Sequence, residues 1–392
     1  MIQLFTNAHV FAPEDLGVCH LLIGGGRILG ISDNRDSLFA AAATEIDLQG
    51  KRLLPGFIDG HAHLTGGGGE SGFSSRVPPV SLGIFTRAGV TTVVGVLGTD
   101  DTTRDTRSLV AQTRALREEG LGAFCHTAGY HIPPVTLTGC VKDDIVFIDP
   151  VIGAGEVAIS DHRSSQPTLN EIMRLASDVH VAGLITGKAG ILHLHLGDGD
   201  RGLDLVRRAL DTSELPARVF NPTHINRKKA LFEEAIELAR RGCTVDITAF
   251  PVDDDDDAWA PDVALLRYLE SGAPPNRITM SSDGGGCLPV FNEQGEIVEM
   301  DMGRPSLLMS TLQSLLDQGS PMEKILPAFT SNVADILRFA DRGRVRDGAC
   351  ADFIILDNQN AISDVVIAGI FHIQSGEQQV FGQFEKAVAG RH

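Results

Sequence analysis

Residues 56–64 read Gly-Phe-Ile-Asp-Gly-His-Ala-His-Leu, after Leu53-Leu54-Pro55. The apolar run 53–60 is short and bounded by a turn-forming pair, so it reads as one buried strand. His61 and His63 follow it. Residues two apart on extended backbone point to the same side, so two imidazoles converge on one point, as a metal needs. On its own this pair reads equally well as two polar residues at a strand end.

Seven further apolar runs extend the pattern: 90–98, 121–129, 156–160, 190–197, 217–224, 243–250 and 277–284. Amphipathic stretches lie between them, such as TRSLVAQTRALREEG (106–120) and KKALFEEAIELARRG (228–242). The second ends in a basic turn followed by Gly242, a helix stop. Strands alternating with helices predict an α/β protein with a parallel sheet. Eight strands over roughly 230 residues approach the ~250 of a (β/α)8 TIM barrel. A doubly wound sheet is the alternative. LFTNAHVFA, HLLIGGGRILGI and ATEIDLQGKRLL near the start read as strands, as do ADFIILD, DVVIAGIF and QQVFGQF near the end. Residues 1–55 and 345–392 are therefore expected to form one small β-sandwich domain from both chain ends, around a barrel of residues 56–344.

Composition narrows the function classes. The 392 residues are 43% hydrophobic but only 5% aromatic, so the core must be mostly aliphatic. A formal net charge of −18 repels nucleic acid and anionic membranes. The first residues lack the basic head and apolar run of a signal peptide. Cysteines 19, 125, 140, 243, 287 and 350 form no CxxC pair and read as reduced, which predicts a cytoplasmic protein. The acidic run 253–257 reads as a solvated loop.

The remaining candidate ligands fall in phase with the strands. His195 ends the fifth run, His224 the sixth and Asp283 the eighth, at the face where barrel enzymes place catalytic groups. Glu156 is the exception, at the start of the run read as the fourth strand.

GFIDGHAHL, HLHLGD (193–198), PTHINR (222–227) and SSDGGG (281–286) resemble the metal-binding segments of the amidohydrolase superfamily. HLTGGGGESG (63–72), GVLGTD (95–100), the Gly-Tyr-His-Ile-Pro stretch at 129–133 and ISDHRS (159–164) resemble bacterial isoaspartyl dipeptidases, over nearly the whole chain. The resemblance implies two divalent metal ions, with zinc the first choice and manganese, cobalt or iron as alternatives. His61 and His63 match the ligands of one metal, His195 and His224 those of the other. Asp283 matches the group that touches the metal-bridging hydroxide and shuttles its proton, and Tyr130 the group that polarises the scissile carbonyl. Glu70 matches the residue that holds a free amino group. Gly68, Thr99, Arg163 and Arg227 match the rest of a dipeptide pocket. The resemblance also implies a homo-oligomer.

Two positions depart from the family. A carbamylated lysine usually bridges the metals, whereas Glu156 stands in the matching stretch. Its side chain is shorter by about one strand residue, ~3.3 Å. Direct bridging by Glu156 therefore needs a bulge, which Gly153-Ala154-Gly155 could allow. Carbamylated Lys188 is the rival bridge, and an ordinary strand-end carboxylate the plain alternative. Cys287 stands where the family has a substrate-contacting serine; no base is marked that would make it a nucleophile. Gly66–Gly69 lacks the Lys-Ser/Thr of a phosphate loop and reads as a lid that lets Glu70 close on substrate. The expected reaction is hydrolysis of the β-aspartyl isopeptide bond of isoaspartyl dipeptides. The alternatives are a cyclic amide or N-acyl amino acid as substrate (a dihydroorotase- or deacylase-like enzyme), or a barrel that serves only as a scaffold.

Overall fold

The computed structural model of the chain describes residues 2–38, 43–253, 255–291 and 297–385. Asp254 of the acidic run lies outside these residues, as do residues 39–42 and 386–392 of the expected end domain.

Eight short strands follow one another through the middle of the chain, with helices between most of them: Phe57–Ala62, Val90–Gly95, Gly122–Thr127, Val151–Ile159, Leu192–Leu196, Phe220–Pro222, Val245–Thr248 and Ile278–Ser281. The first six pair in parallel in consecutive order, and the last two pair with each other. Unbroken sequential order is incompatible with a doubly wound sheet, whose order reverses at a switch point. The eighth strand returns to the first: Asp283 N donates to His61 O and His63 N to Gly284 O, at 3.1 and 2.8 Å. Val90–Gly95 and Val151–Ile159 are buried throughout, as expected of parallel strands covered on both faces.

The helices form where polar caps meet an apolar stripe. Thr106–Glu118 starts at Asp105, whose carboxylate accepts from Ser108 N while the Ser108 hydroxyl bonds back to Asp105 N, a closed capping box. Leu109, Val110 and Leu116 are its buried face. Among the described residues, no helix is long and apolar enough to cross a membrane.

Strands from both chain ends form one nine-stranded sheet with its own core, which includes Phe5, Leu21, Ile28, Leu53 and Phe353. The run 53–60 is two strands rather than one. Arg52–Pro55 belongs to the end sheet, and Phe57–Ala62 opens the parallel sheet. Gly56 makes the crossing because a Cβ there would lie 2.2 Å from the Thr91 side chain. Of QQVFGQF (378–384) only Gln378 is strand, in the short strand Glu377–Gln378. Beyond it the backbone bonds to carboxylates instead, Gly382 N to Glu385 and Gln383 N to Glu119. The hairpin Cys287–Phe291 with Ile297–Met302 was not anticipated.

The fourth strand also starts earlier than its sequence suggests, at Val151, so Glu156 lies inside it. Glycines at 153 and 155 masked the extended run, since glycine is depleted in strands. Its pairing with the fifth strand shifts between Leu192↔Ala154 and Leu194↔Val157, leaving one extra residue at 155–156. This is a bulge. Gly155 has φ +148°, and a Cβ on it would lie 2.5 Å from His193 O. Gly155→Ala is expected to destabilise the fold by about 1–3 kcal/mol or more and to displace Glu156, read as a lower urea midpoint together with lower metal content.

Candidate active site

His61, His63, Glu156, His195, His224 and Asp283 meet at the C-terminal ends of the parallel strands, all buried. His224 and Asp283 each lie two residues past a strand, in the left-handed region at φ 58° and 52°. Such turns are uncommon without glycine, and here they redirect side chains inward. The Glu156 carboxylate sits between the two histidine pairs. Oε1 is 3.2 Å from His63 Nε2; Oε2 is 2.9 Å from His195 Nδ1, 3.4 Å from His224 Nε2 and 3.6 Å from His61 Nε2. Asp283 Oδ1 is 3.1 Å from His63 Nε2 and 3.4 Å from His61 Nε2.

This donor set fits divalent cations. His61 Nε2, Glu156 Oε1 and Asp283 Oδ1 are buried with no hydrogen-bond partner. Leaving such groups unmet costs ~1–3 kcal/mol each. Three overlapping ligand sets arise: His61/His63/Glu156, His61/His224/Asp283 and Glu156/His195/His224, each with ligand atoms within 4.8 Å of one another. Burial opposes charge on His63, but Asp283 and Glu156 outweigh it and push its pKa up to about 10. Burial likewise opposes ionisation of Asp283, yet the His61 and His63 rings beside it hold its carboxyl well below the usual range. Carboxylates that hold protons on these rings can hold a cation between them.

A buried chain supports His61 from behind. His61 Nδ1 is 2.7 Å from His193 Nε2, His193 Nδ1 is 2.6 Å from Asn221 Oδ1, and Asn221 Nδ2 donates to Thr244 O at 2.9 Å. Burial and nearby His61 push the His193 pKa down to about 3, so it stays neutral. The directions close on one tautomer set, with Nδ1–H donating at both rings and His61 Nε2 left for a ligand. His193 and Asn221 were missed in the sequence. The signal was present, because Leu192-His193-Leu194-His195 alternates and places both rings on one side.

Above the cluster lies a cavity of about 500 Å³. His63, His195 and Asp283 reach its floor; Gly68, Glu70, Thr99, Tyr130, Arg163, Arg227 and Cys287 line its walls. His61, Glu156 and His224 lie beneath. Every site residue expected from the sequence is thus brought to one place, whereas Lys188 is not. Its ammonium donates to Ile145 O and Ile148 O, at 2.6 and 2.8 Å. The Tyr130 hydroxyl is 2.9 Å from His195 Nδ1. Burial, then the Glu156 charge, raises its pKa well above the ordinary value, so it remains a donor. Arg163 Nη1 reaches Glu70 Oε1 at 3.4 Å, and Arg227 Nη1 donates to Leu196 O at 3.1 Å. Burial and nearby Glu70 push the Cys287 thiol up to about 12, which makes it a poor nucleophile.

The glycine run is held in place. Arg104, buried, donates to Thr65 O, Gly67 O, Gly68 O and Val77 O at 2.9–3.3 Å and pairs with Asp100 at 2.9 Å. A Cβ on Gly68 would lie 2.4 Å from Ser75 O. The loop is therefore clamped at both ends of the run, unlike a freely hinged lid.

A curled parallel α/β sheet with buried histidines and carboxylates at its C-terminal edge is the arrangement of the amidohydrolases. The profile of the Amidohydrolase family matches residues 44–214. The structure superimposes on the beta-aspartyl dipeptidase of the thermophilic, keratin-degrading Fervidobacterium islandicum AW-1, crystallised with β-Asp-Leu. The TM-score is 0.92 at 40% identity, covering 97% of this chain and 98% of that one. The chain belongs to the beta-aspartyl dipeptidase family of the amidohydrolase superfamily. It is also 25% identical over 385 residues to an adenine deaminase of Nitratidesulfovibrio vulgaris, covering 94% of this chain and 56% of that protein. A dihydroorotase of Lactiplantibacillus plantarum is 28% identical over 185 residues, 47% of this chain and 41% of its own length. The chain thus spans little more than half the length of the adenine deaminase it matches.

Proposed function

We propose that this protein is a binuclear, zinc-dependent hydrolase of isoaspartyl dipeptides. In this reading the eight parallel strands close into a (β/α)8 barrel over residues 56–344, and residues 1–55 and 345–392 form the small β-sandwich domain. The observation that carries the function is the charge pattern of the cavity. An isoaspartyl dipeptide presents one ammonium and two carboxylates; the charged groups lining the cavity include Glu70, Arg163 and Arg227, together with Asp198, Asp253, Asp256 and Asp301. Guanidinium forks suit carboxylates and a carboxylate suits the ammonium. Phe250, Pro251 and Leu288 add an apolar wall, suited to an aliphatic residue after the isoaspartate.

His61, His63, Glu156, His195, His224 and Asp283 would hold the two ions, with Glu156 between them. When bound, such ions lower the pKa of a water to near neutrality and polarise a carbonyl oxygen. Asp283, kept ionised by its histidine neighbours, accepts the proton of the attacking water and passes it to the leaving amine, a general acid–base role. Tyr130, kept protonated, donates to the carbonyl oxygen as charge develops there. Glu70 orients the ammonium, Arg163 and Arg227 the carboxylates, and Gly68, Thr99 and Cys287 shape the rim.

Deamination of adenine is the reading the other relatives suggest. Adenine carries neither an ammonium for Glu70 nor a carboxylate for Arg163 and Arg227 to orient. The test is a screen of zinc-loaded protein on β-Asp-Leu, adenine, dihydroorotate and N-acetyl amino acids. Release of leucine, with no turnover of the others, is the expected result. Turnover of adenine or dihydroorotate without leucine release would refute the proposal.

A further inference from the structure

The segment ISDHRS contains a residue to which no role has been given. The fourth strand ends at Ile159, and Ser160 turns the chain through the left-handed region at φ 52°. This tucks Asp161 under the cavity wall, 2% exposed. Its carboxylate receives four donors. Oδ1 accepts from Arg163 N at 2.7 Å and Arg163 Nε at 3.1 Å; Oδ2 accepts from Arg163 Nη2 at 2.7 Å and His195 Nε2 at 2.9 Å. The backbone makes room for it, because a Cβ on Gly197 would lie 2.1 Å from Oδ2.

The chemistry of these contacts has a direction. A carboxylate accepts and does not donate, so His195 must carry its proton on Nε2. Nδ1 faces Glu156 Oε2 at 2.9 Å within the His195–His224 ligand set, where a cation held between them would take the place of the Nδ1 proton. The same carboxylate grips Arg163 through two parallel N–H bonds, the geometry that fixes a guanidinium plane, and Arg163 in turn reaches Glu70 at 3.4 Å.

We propose that Asp161 is a positioning residue that serves the metal centre and the substrate pocket together: one oxygen orients His195 toward its ion, and both oxygens clamp Arg163 in the cavity wall. The clamp rests on the dipeptidase reading; the metal role does not. Outer partners of metal-bound histidines are worth about 10–100-fold in metal affinity, and a charged hydrogen bond about 1.5–3 kcal/mol, tenfold or more.

Asp161→Asn separates these roles from simple packing. An amide carries no charge and turns an N–H toward the donors of either Oδ1 or Oδ2, so in both orientations the two-bond grip on Arg163 is broken and the His195 contact is either lost or stripped of its charge. Zinc affinity, read by chelator competition, is expected to fall about 10–100-fold. KM for β-Asp-Leu is expected to rise about tenfold or more, with kcat at saturating zinc changed by less than about threefold, since the lost contact acts on ground and transition states alike. Gly197→Ala displaces the same carboxylate without deleting it, and should shift both readouts in the same direction even if the Asn variant folds poorly. Either readout staying within about twofold of wild type in a folded variant overturns the proposal. Zinc affinity is measured without substrate, so absence of β-Asp-Leu cleavage by the wild-type protein would fault the dipeptidase reading and leave the metal arm decisive.

Discussion

Asp283→Asn is expected to keep its metal and lose about 10²–10⁴-fold in kcat, the usual worth of a positioned acid–base group. The amide has the shape of the carboxylate, so the fit against Gly286, where a Cβ would lie 2.2 Å from Oδ1, is preserved. His61, His63, Glu156, His195 and His224 remain to bind cations. What disappears is the capacity to take a proton. Asp283 is suited to that task because burial is outweighed by the two histidine rings beside it, which favour its ionised form. Steady-state kinetics on β-Asp-Leu with metal analysis of the same samples would show it. Near wild-type turnover in a metal-replete Asn variant would mean that the proton moves through another group.

Glu156→Ala is expected to lose the second ion and most activity, on the order of 10³-fold if the paired ions contribute several kcal/mol. Among the described residues, Glu156 alone reaches toward all four histidines, within 3.6 Å. Lys188→Ala should leave metal content and turnover unchanged, because its ammonium is spent on two backbone carbonyls away from the cluster. Rebuilding the stripped protein with zinc in carbon-dioxide-free buffer should give the same activity as rebuilding with bicarbonate. A strict bicarbonate requirement, abolished by Lys188→Ala, would show that a carbamate bridges instead.

The sequence made the site legible where local pattern and chemistry coincide. His61 and His63 are two apart after an apolar run, and the later ligands recur at strand ends. The bulge beside Glu156 could be anticipated because a short side chain needed reach and glycines flank it. The strand holding Glu156 was harder to delimit, since those glycines hide an extended run that only neighbouring strands stabilise. Asp161, Arg104 and Asn221 were not legible in their roles. Each bonds to groups 28 or more residues away in sequence, such as His195, Gly67–Gly68 and His193, and nothing in the local stretch reports such partners. The tail strand 378–384 failed for a partly related reason, because its backbone donors went to carboxylates instead, one of them the distant Glu119 and the other the nearby Glu385.

The most direct measurement is the ratio of kcat/KM for β-Asp-Leu to that for α-Asp-Leu on the zinc-loaded protein. The two isomers carry the same charges and differ in where the scissile carbonyl sits relative to the ammonium and carboxylate. A pocket that fixes those groups through Glu70, Arg163 and Arg227 should misplace the α-linked carbonyl. The account predicts a ratio of at least about 100. A ratio near one, or cleavage of the α isomer alone, would contradict it.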